Sequence, residues 1–197
     1  MSVSCPAYQH FEQILAWHCA PSLAGIKAAD LVCWEPPAEG AAHLLYHYAE
    51  TLSQRGIRLR VLRRSGSRLL LLVFRPIQLE RYLAQPPVKE LLAQAGYPVH
   101  ETMDLDALLT HLCQRLAQPE FPHEIGLFLG YPAEDVEGFR RHGGRNCKLC
   151  GCWKVYGDVE HAQRMFDRFL RCRRALTRRV EQGLRLEQIF VPMPAAA

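Results

Sequence analysis

Three cysteines that lie close together, Cys147, Cys150 and Cys152, have the spacing that could do chemistry most directly. A Cys-x-x-Cys pair can hold a metal ion or form a redox couple, because a turn brings both sulfurs to one side. Cys152 could add a third thiolate, and His142 or His18 a fourth ligand. Structural zinc sites usually draw on two separated ligand pairs, however, and the sequence has no second pair. Loop cysteines without a ligand are the favoured interpretation, and a zinc or iron–sulfur redox module is the alternative.

The second candidate is the segment Pro122-His123-Glu124, where the sequence predicts the start of a short helix over about 122–129. Backbone N–H groups point outward at a helix start and the dipole end there is positive, which favours an anion. A His–Glu pair could also transfer protons near neutral pH. We therefore treat His123 and Glu124 as catalytic candidates. In the alternative, Glu124 only complements the helix dipole and His123 hydrogen-bonds a neighbouring loop.

Lys154 and Tyr156 form the third candidate. They stand two residues apart in the segment 151–156, which predicts a strand, so alternation places both on one face and Trp153 on the other. A lysine and a tyrosine that project together from a sheet could bind a phosphate or a carboxylate. A solvated strand face is the alternative.

The elements that must position these residues follow from hydrophobic periodicity. Apolar residues at helical spacing predict helices over 8–20, 41–55, 77–84, 87–95 and 104–116, a further one from Pro132 to Gly143-Gly144, and a long one capped by Asp158. Alternating and continuous apolar runs predict a β-hairpin, 57–64 with 68–75, and a buried strand over 29–35. Together these elements predict a helix-rich, single α+β domain over 1–191 on a small mixed sheet of about four strands, with a frayed tail over 192–197.

Composition limits the class of protein. The chain has 197 residues, of which 49% are hydrophobic and 22% charged, with 13 Gly and 13 Pro, so collagen-like, disordered and coiled-coil proteins are excluded. The longest apolar run, Leu69 to Phe74, is far shorter than the ~20 residues that span a bilayer. Met1 to His10 lacks a basic stretch followed by an apolar core. We therefore expect a cytoplasmic protein with reduced thiols and no membrane partner.

Positive charge is concentrated in Arg-rich stretches, although the net charge is only +4. Eight arginines between 164 and 185 could contact a phosphate backbone. They spread around an apolar stripe instead of forming one edge, and no nucleic-acid-binding motif accompanies them. Nucleic acid is therefore not an expected partner. An interaction module that docks through this helix is a third functional class.

Short motifs spread over nearly the whole chain carry a resemblance. They are His18-Cys19-Ala20-Pro21, Gly25-Ile26-Lys27, Pro122-His123-Glu124-Ile125-Gly126, Gly130-Tyr131-Pro132, Asp135-Val136, Gly138-Phe139 and Cys150-Gly151-Cys152-Trp153-Lys154-Val155-Tyr156. With these motifs the chain resembles the bacterial domain-of-unknown-function family numbered 3793. The resemblance implies a stand-alone cytoplasmic domain of about 200 residues without a known activity. Cys147 and Cys152 stand where the family pattern has other residues, so Cys150 is the thiol that the resemblance supports.

We expect a ligand- or cofactor-binding protein, with or without catalysis, whose site joins the segments 122–131 and 150–156. The catalytic candidates are His123, Glu124 and Cys150, and the metal candidates are Cys147, Cys150 and Cys152. The ligand-binding candidates are Lys27, Tyr131, Trp153, Lys154 and Tyr156. In this hypothesis Lys154 attracts an anionic group and Trp153 or Tyr156 offers a stacking surface. The expected partner is a small molecule or cofactor of unknown identity, and the sequence leaves homo-oligomerisation open.

Overall fold

The helices and strands follow the apolar spacing of the sequence closely. The computed structural model describes residues 6–37, 39–99 and 104–190, so the predicted tail over 192–197 lies outside the described residues. The elements are α1 Pro6–His18, α2 Ala20–Leu23, β1 Ala29–Trp34, α3 Ala41–Ser53, β2 Arg58–Ser65, β3 Arg68–Phe74, α4 Pro76–Leu83, α5 Pro86–Gln94, α6 Leu105–Leu116, α7 Ile125–Phe128, α8 Ala133–His142, β4 Leu149–Cys150, β5 Lys154–Val155, α9 Val159–Glu181 and α10 Leu186–Ile189.

The continuous apolar run of β3 makes it the central strand of a three-stranded sheet with the order β1-β3-β2. Both neighbours pair with it in the antiparallel sense, Ala29 of β1 and Arg58 of β2 each lying opposite Phe74. A strand between two others, with helices over both faces, has no solvated side, which explains why β3 shows no polar alternation.

The two faces of β3 contribute to two separate parts of the core. Leu72 and Phe74 pack among side chains of α4, α5, α6 and α7, whereas Leu71 and Val73 pack among side chains of α1, α3 and α9. This division follows directly from the period of two along a strand. Within the described residues, no helix is long and apolar enough to cross a membrane.

The part of the core around Leu71 and Val73 joins segments that are far apart in the chain. Helix α1 packs against α9, and the buried carboxylate of Glu12 accepts hydrogen bonds from Arg185 Nε at 2.9 Å and from the backbone N–H of Leu186 at 3.1 Å. A buried carboxylate needs such donors, because removing its charge from water is otherwise unfavourable by several kcal/mol. Glu12 therefore fastens the segment after α9 to the first helix.

The predicted fold class, a helix-rich α+β domain with a hairpin over 57–64 and 68–75, is confirmed. Asp158 caps its helix as predicted, by accepting from the N–H group of His161, and Asp104 caps α6 by accepting from the N–H group of Asp106. Pairing is antiparallel throughout the described strands, which form a three-stranded and a two-stranded sheet instead of one mixed sheet.

The predicted strand over 151–156 is wrong in one respect, because a tight turn interrupts it. Leu149 and Cys150 pair with Val155 and Lys154 to form the hairpin β4–β5. The N–H of Gly151 donates to the carbonyl of Trp153 at 3.0 Å and closes the turn. A Cβ atom at Gly151 would lie 2.2 Å from the ring of Phe166, so the turn can approach α9 only with glycine at this position.

Four tyrosines give the fold a predictable alkaline limit. Burial raises the pKa of Tyr48, Tyr82, Tyr97 and Tyr131 above the ordinary value of 10.0. A raised pKa in the folded state means that the stabilisation is complete below the unfolded pKa and is lost as the pH rises through and beyond it. We therefore expect the urea concentration at the midpoint of unfolding to decrease as the pH is raised from about 9 to about 11.

Two variants separate buried from exposed tyrosines in that experiment. Tyr82→Phe should reduce the loss of stability at alkaline pH, since phenylalanine cannot ionise. Tyr46→Phe should leave it unchanged, because the side chain of Tyr46 is 71% exposed. A urea midpoint that stays constant across this pH range would contradict the prediction.

Candidate functional site

A cavity of about 350 Å³ lies between α8 and the β4–β5 hairpin. Its aromatic lining comes from Phe121, Tyr131, Phe139 and Trp153, and its polar lining from His123, Asp135, Cys150 and Lys154. The volume falls within the ~300–1,000 Å³ that small-molecule sites occupy, and the combination of apolar walls with a few polar groups is typical of them. The segments 122–131 and 150–156 therefore meet at one cavity.

Asp135 on α8 holds the hairpin in place. Its carboxylate is 3% exposed and accepts from Trp153 Nε1 at 2.7 Å and from the N–H groups of Tyr156 and Gly157 at 2.7 and 2.8 Å. These hydrogen bonds fix both the indole ring and the strand that follows it. The sequence predicts no site role for Asp135, and the signal available for it is its place in the Asp135-Val136 motif.

The indole of Trp153 forms a rigid wall of the cavity. It stacks on the ring of Tyr131 with centroids 4.9 Å apart and meets the ring of Phe166 edge-on at 4.5 Å. Offset stacking and edge-to-face contacts are the favoured geometries of aromatic pairs. Since the indole N–H is bonded to Asp135, the ring has its position fixed on three sides.

Glu124 does not line this cavity, so it does not form a proton-transfer pair with His123 there. His123 lines the cavity, and its ring meets that of Phe139 edge-on at 4.9 Å. The carboxylate of Glu124 is buried on the other side, where Arg115 Nε donates to it at 2.9 Å and Tyr97 Oη at 3.4 Å. A buried carboxylate needs a cationic partner, and Arg115 on α6 supplies one.

The helix start that was expected to favour an anion belongs to a short helix. Helix α7 spans only Ile125–Phe128, and the side chain of Glu124 makes no cap hydrogen bond. One helical turn aligns too few peptide dipoles to attract an anion strongly. His123 therefore contributes to the cavity through its imidazole alone.

Lys154 and Cys150 face each other across the hairpin and both line the cavity. The ammonium of Lys154 donates to the carbonyl oxygen of Gly144 at 2.5 Å. Among the described residues no carboxylate lies within ion-pair distance of it. The cavity thus has a lysine whose positive charge is not neutralised by a described side chain.

Two of the predicted ligand-binding residues do not line the cavity. The ring of Tyr156 stacks on His142 with centroids 5.6 Å apart, because β5 ends at Val155 and the N–H groups of Tyr156 and Gly157 bond to Asp135 instead of continuing the strand. The ammonium of Lys27 is paired with Asp30 at 2.7 Å and lies 5.2 Å from the centre of the Tyr131 ring. Lys27 therefore contacts Asp30 and Tyr131, Tyr156 contacts His142, and neither Lys27 nor Tyr156 belongs to the cavity lining.

The three clustered cysteines do not assemble into a metal site. Cys150 lines the cavity, whereas Cys152 Sγ lies 3.8 Å from a guanidinium nitrogen of Arg173 on α9. In residues 6–37, 39–99 and 104–190, no group of three or more His, Cys, Asp or Glu side chains is arranged to hold a metal ion. The described residues therefore do not support a metal site at Cys147, Cys150 and Cys152, and the hairpin turn gives Cys150 and Cys152 different surroundings.

No curated protein and no solved structure matches this chain. One family model, described as "Protein of unknown function (DUF3793)", matches residues 15–190 and so includes every residue that lines the cavity. Because this match covers most of the 197 residues, the chain belongs to the DUF3793 family of proteins of unknown function.

Proposed function

We propose that this protein binds a small organic molecule, with a flat apolar body and an acid group, in the cavity between α8 and the β4–β5 hairpin. The observation that carries the proposal is an aromatic cavity of about 350 Å³ that contains an ammonium without a carboxylate partner among the described residues. Apolar walls favour the body of the ligand, and the ammonium favours its acid group.

The aromatic lining supports a flat ligand. Phe139 and Trp153 offer ring surfaces, and the contacts of Trp153 with Asp135, Tyr131 and Phe166 keep its indole fixed before a ligand arrives. Because the wall is already ordered, binding does not have to immobilise these side chains, and the smaller loss of entropy favours binding.

Lys154 supports an acid group on the ligand. Its one described hydrogen bond goes to a neutral carbonyl, so its charge is available to a carboxylate, sulfonate or phosphate. Charge-assisted hydrogen bonds of this kind contribute roughly 1.5–3 kcal/mol, which corresponds to about tenfold or more in affinity. His123 adds an imidazole, whose ring nitrogens can donate or accept a hydrogen bond, to the lining of the cavity.

A fluorescence titration with anilinonaphthalene sulfonate, a flat aromatic sulfonate, tests the proposal. We expect binding at one site and a dissociation constant that Lys154→Met raises about tenfold. Lys148→Met is the matched control, since Lys148 lies on the same hairpin segment, is exposed, and bonds to the carbonyl of Gly157 outside the cavity.

Two results would count against the proposal. One is fluorescence that rises without saturation. The other is equal weakening by Lys154→Met and Lys148→Met, which would indicate a general attraction of the sulfonate to positive charge. Thermal unfolding of both variants, measured in parallel, checks that they remain folded.

A further inference from the structure

Cys150 and Lys154 form the cross-strand pair next to the turn of the β4–β5 hairpin. Their Cα atoms are direct partners in the antiparallel register of β4 and β5. Side chains of directly opposite residues leave the sheet on the same face, with Cβ atoms about 4.5–5.5 Å apart. Both residues line the cavity, so a ligand whose acid group contacts Lys154 has the thiol of Cys150 beside it.

The other thiols of the cluster do not share this position. Among the described residues that line the cavity, Cys150 is the only cysteine. Cys152 Sγ lies near Arg173 instead, and none of the described cysteines is in a disulfide. Thiol–disulfide exchange needs a second thiol to resolve the mixed disulfide. This arrangement therefore favours a reaction in which one thiol suffices.

We infer that the cavity captures its ligand covalently, by addition of the Cys150 thiol to an electrophilic carbon in a ligand that also carries an acid group. The inference rests on the proposed function. It specifies the ligand class as an acid that contains a carbon–carbon double bond conjugated to a carbonyl group.

The addition balances without a further reactant. The sulfur of Cys150 forms a bond to the β carbon of the double bond, and the π electron pair moves toward the carbonyl. The proton that leaves the sulfur is delivered through solvent to the α carbon. No group leaves, and there is no external oxidant or reductant. Lys154 acts by holding the acid group, which converts an encounter in solution into a reaction between adjacent groups.

Two maleimides provide the test, because each contains such a double bond. Maleimidoacetic acid carries an acid group, and N-ethylmaleimide has nearly the same size without one. Cys33 is an internal reference, since it is exposed on β1 and does not line the cavity. Peptide mass spectrometry follows the modification of each cysteine with time.

We expect maleimidoacetic acid to modify Cys150 at least about tenfold faster than Cys33, with a rate at Cys150 that saturates as its concentration rises. N-ethylmaleimide should show a smaller preference. Lys154→Met should lower the rate at Cys150 by about tenfold for the acid reagent and leave the rate at Cys33 unchanged. Lys148→Met should change neither rate.

Equal rates at Cys150 and Cys33, or a rate at Cys150 that Lys154→Met does not lower, would overturn covalent capture. The titration with anilinonaphthalene sulfonate separates this failure from failure of the proposed function. Saturable sulfonate binding without selective modification refutes the capture step alone. Absence of both refutes the binding function as well.

Discussion

Asp135→Ala is expected to lower the free energy of unfolding by about 3 kcal/mol or more, because it leaves buried donors without an acceptor. The indole N–H of Trp153 and the backbone N–H groups of Tyr156 and Gly157 all donate to this carboxylate. Each unsatisfied buried polar group costs roughly 1–3 kcal/mol. Urea unfolding followed by tryptophan fluorescence measures the loss and also reports on the environment of Trp153.

The matched control lies two residues further along the same helix. Glu137 is exposed and makes a surface ion pair with Arg141, a type of contact worth about 0–1 kcal/mol. Glu137→Ala should therefore change the free energy of unfolding by at most about 0.5 kcal/mol. If Asp135→Ala were as mild as this control, the carboxylate would not be what holds the hairpin to α8.

Gly138→Ala is expected to destabilise the protein by about 1–3 kcal/mol, although alanine is the better helix former. Gly138 lies within α8, where exchange of glycine for alanine would ordinarily stabilise by about 0.8–1.0 kcal/mol. A Cβ atom at this position would lie 2.4 Å from Cγ of Tyr156. The overlap is with the base of the side chain, which cannot move without the backbone of the hairpin.

Urea midpoints distinguish helix propensity from steric overlap, because the first would raise the midpoint of Gly138→Ala and the second would lower it. Arg140→Ala, an exposed substitution on the same helix, should stay within about 0.5 kcal/mol of the parent. Loss of sulfonate binding in Gly138→Ala would be an added consequence, since Lys154 and Trp153 belong to the displaced hairpin. A stabilised Gly138→Ala variant would mean that the hairpin does not pack on α8 as described.

The features that sequence could predict are those with strong local causes. The run from Leu69 to Phe74 predicted a fully buried strand and became the centre of the sheet. The leucine spacing over 104–116 predicted a helix, which is α6. In both cases the period of side chains along one element decides the structure, so no knowledge of distant residues is needed.

The candidate site was less predictable, because distant contacts decide it. Residues of the segments 122–131 and 150–156 line one cavity, but the pairing of Glu124 with Arg115 depends on how α6 packs. The position of Tyr156 depends on where β5 ends and on the packing of its ring against His142 and Gly138 of α8. The role of Asp135 likewise arises only when the hairpin reaches α8. Spacing within a segment carries none of this information.

The packing of the late helix α9 and Arg185 against the first helix has a consequence for folding during synthesis. A ribosome completes β1, β2 and β3 long before residues 159–189 emerge, and until then Leu71 and Val73 lack the cover that α9 gives their face. Nascent chains in this interval therefore leave the part of this apolar face that α9 covers exposed, and transiently exposed apolar surface favours aggregation.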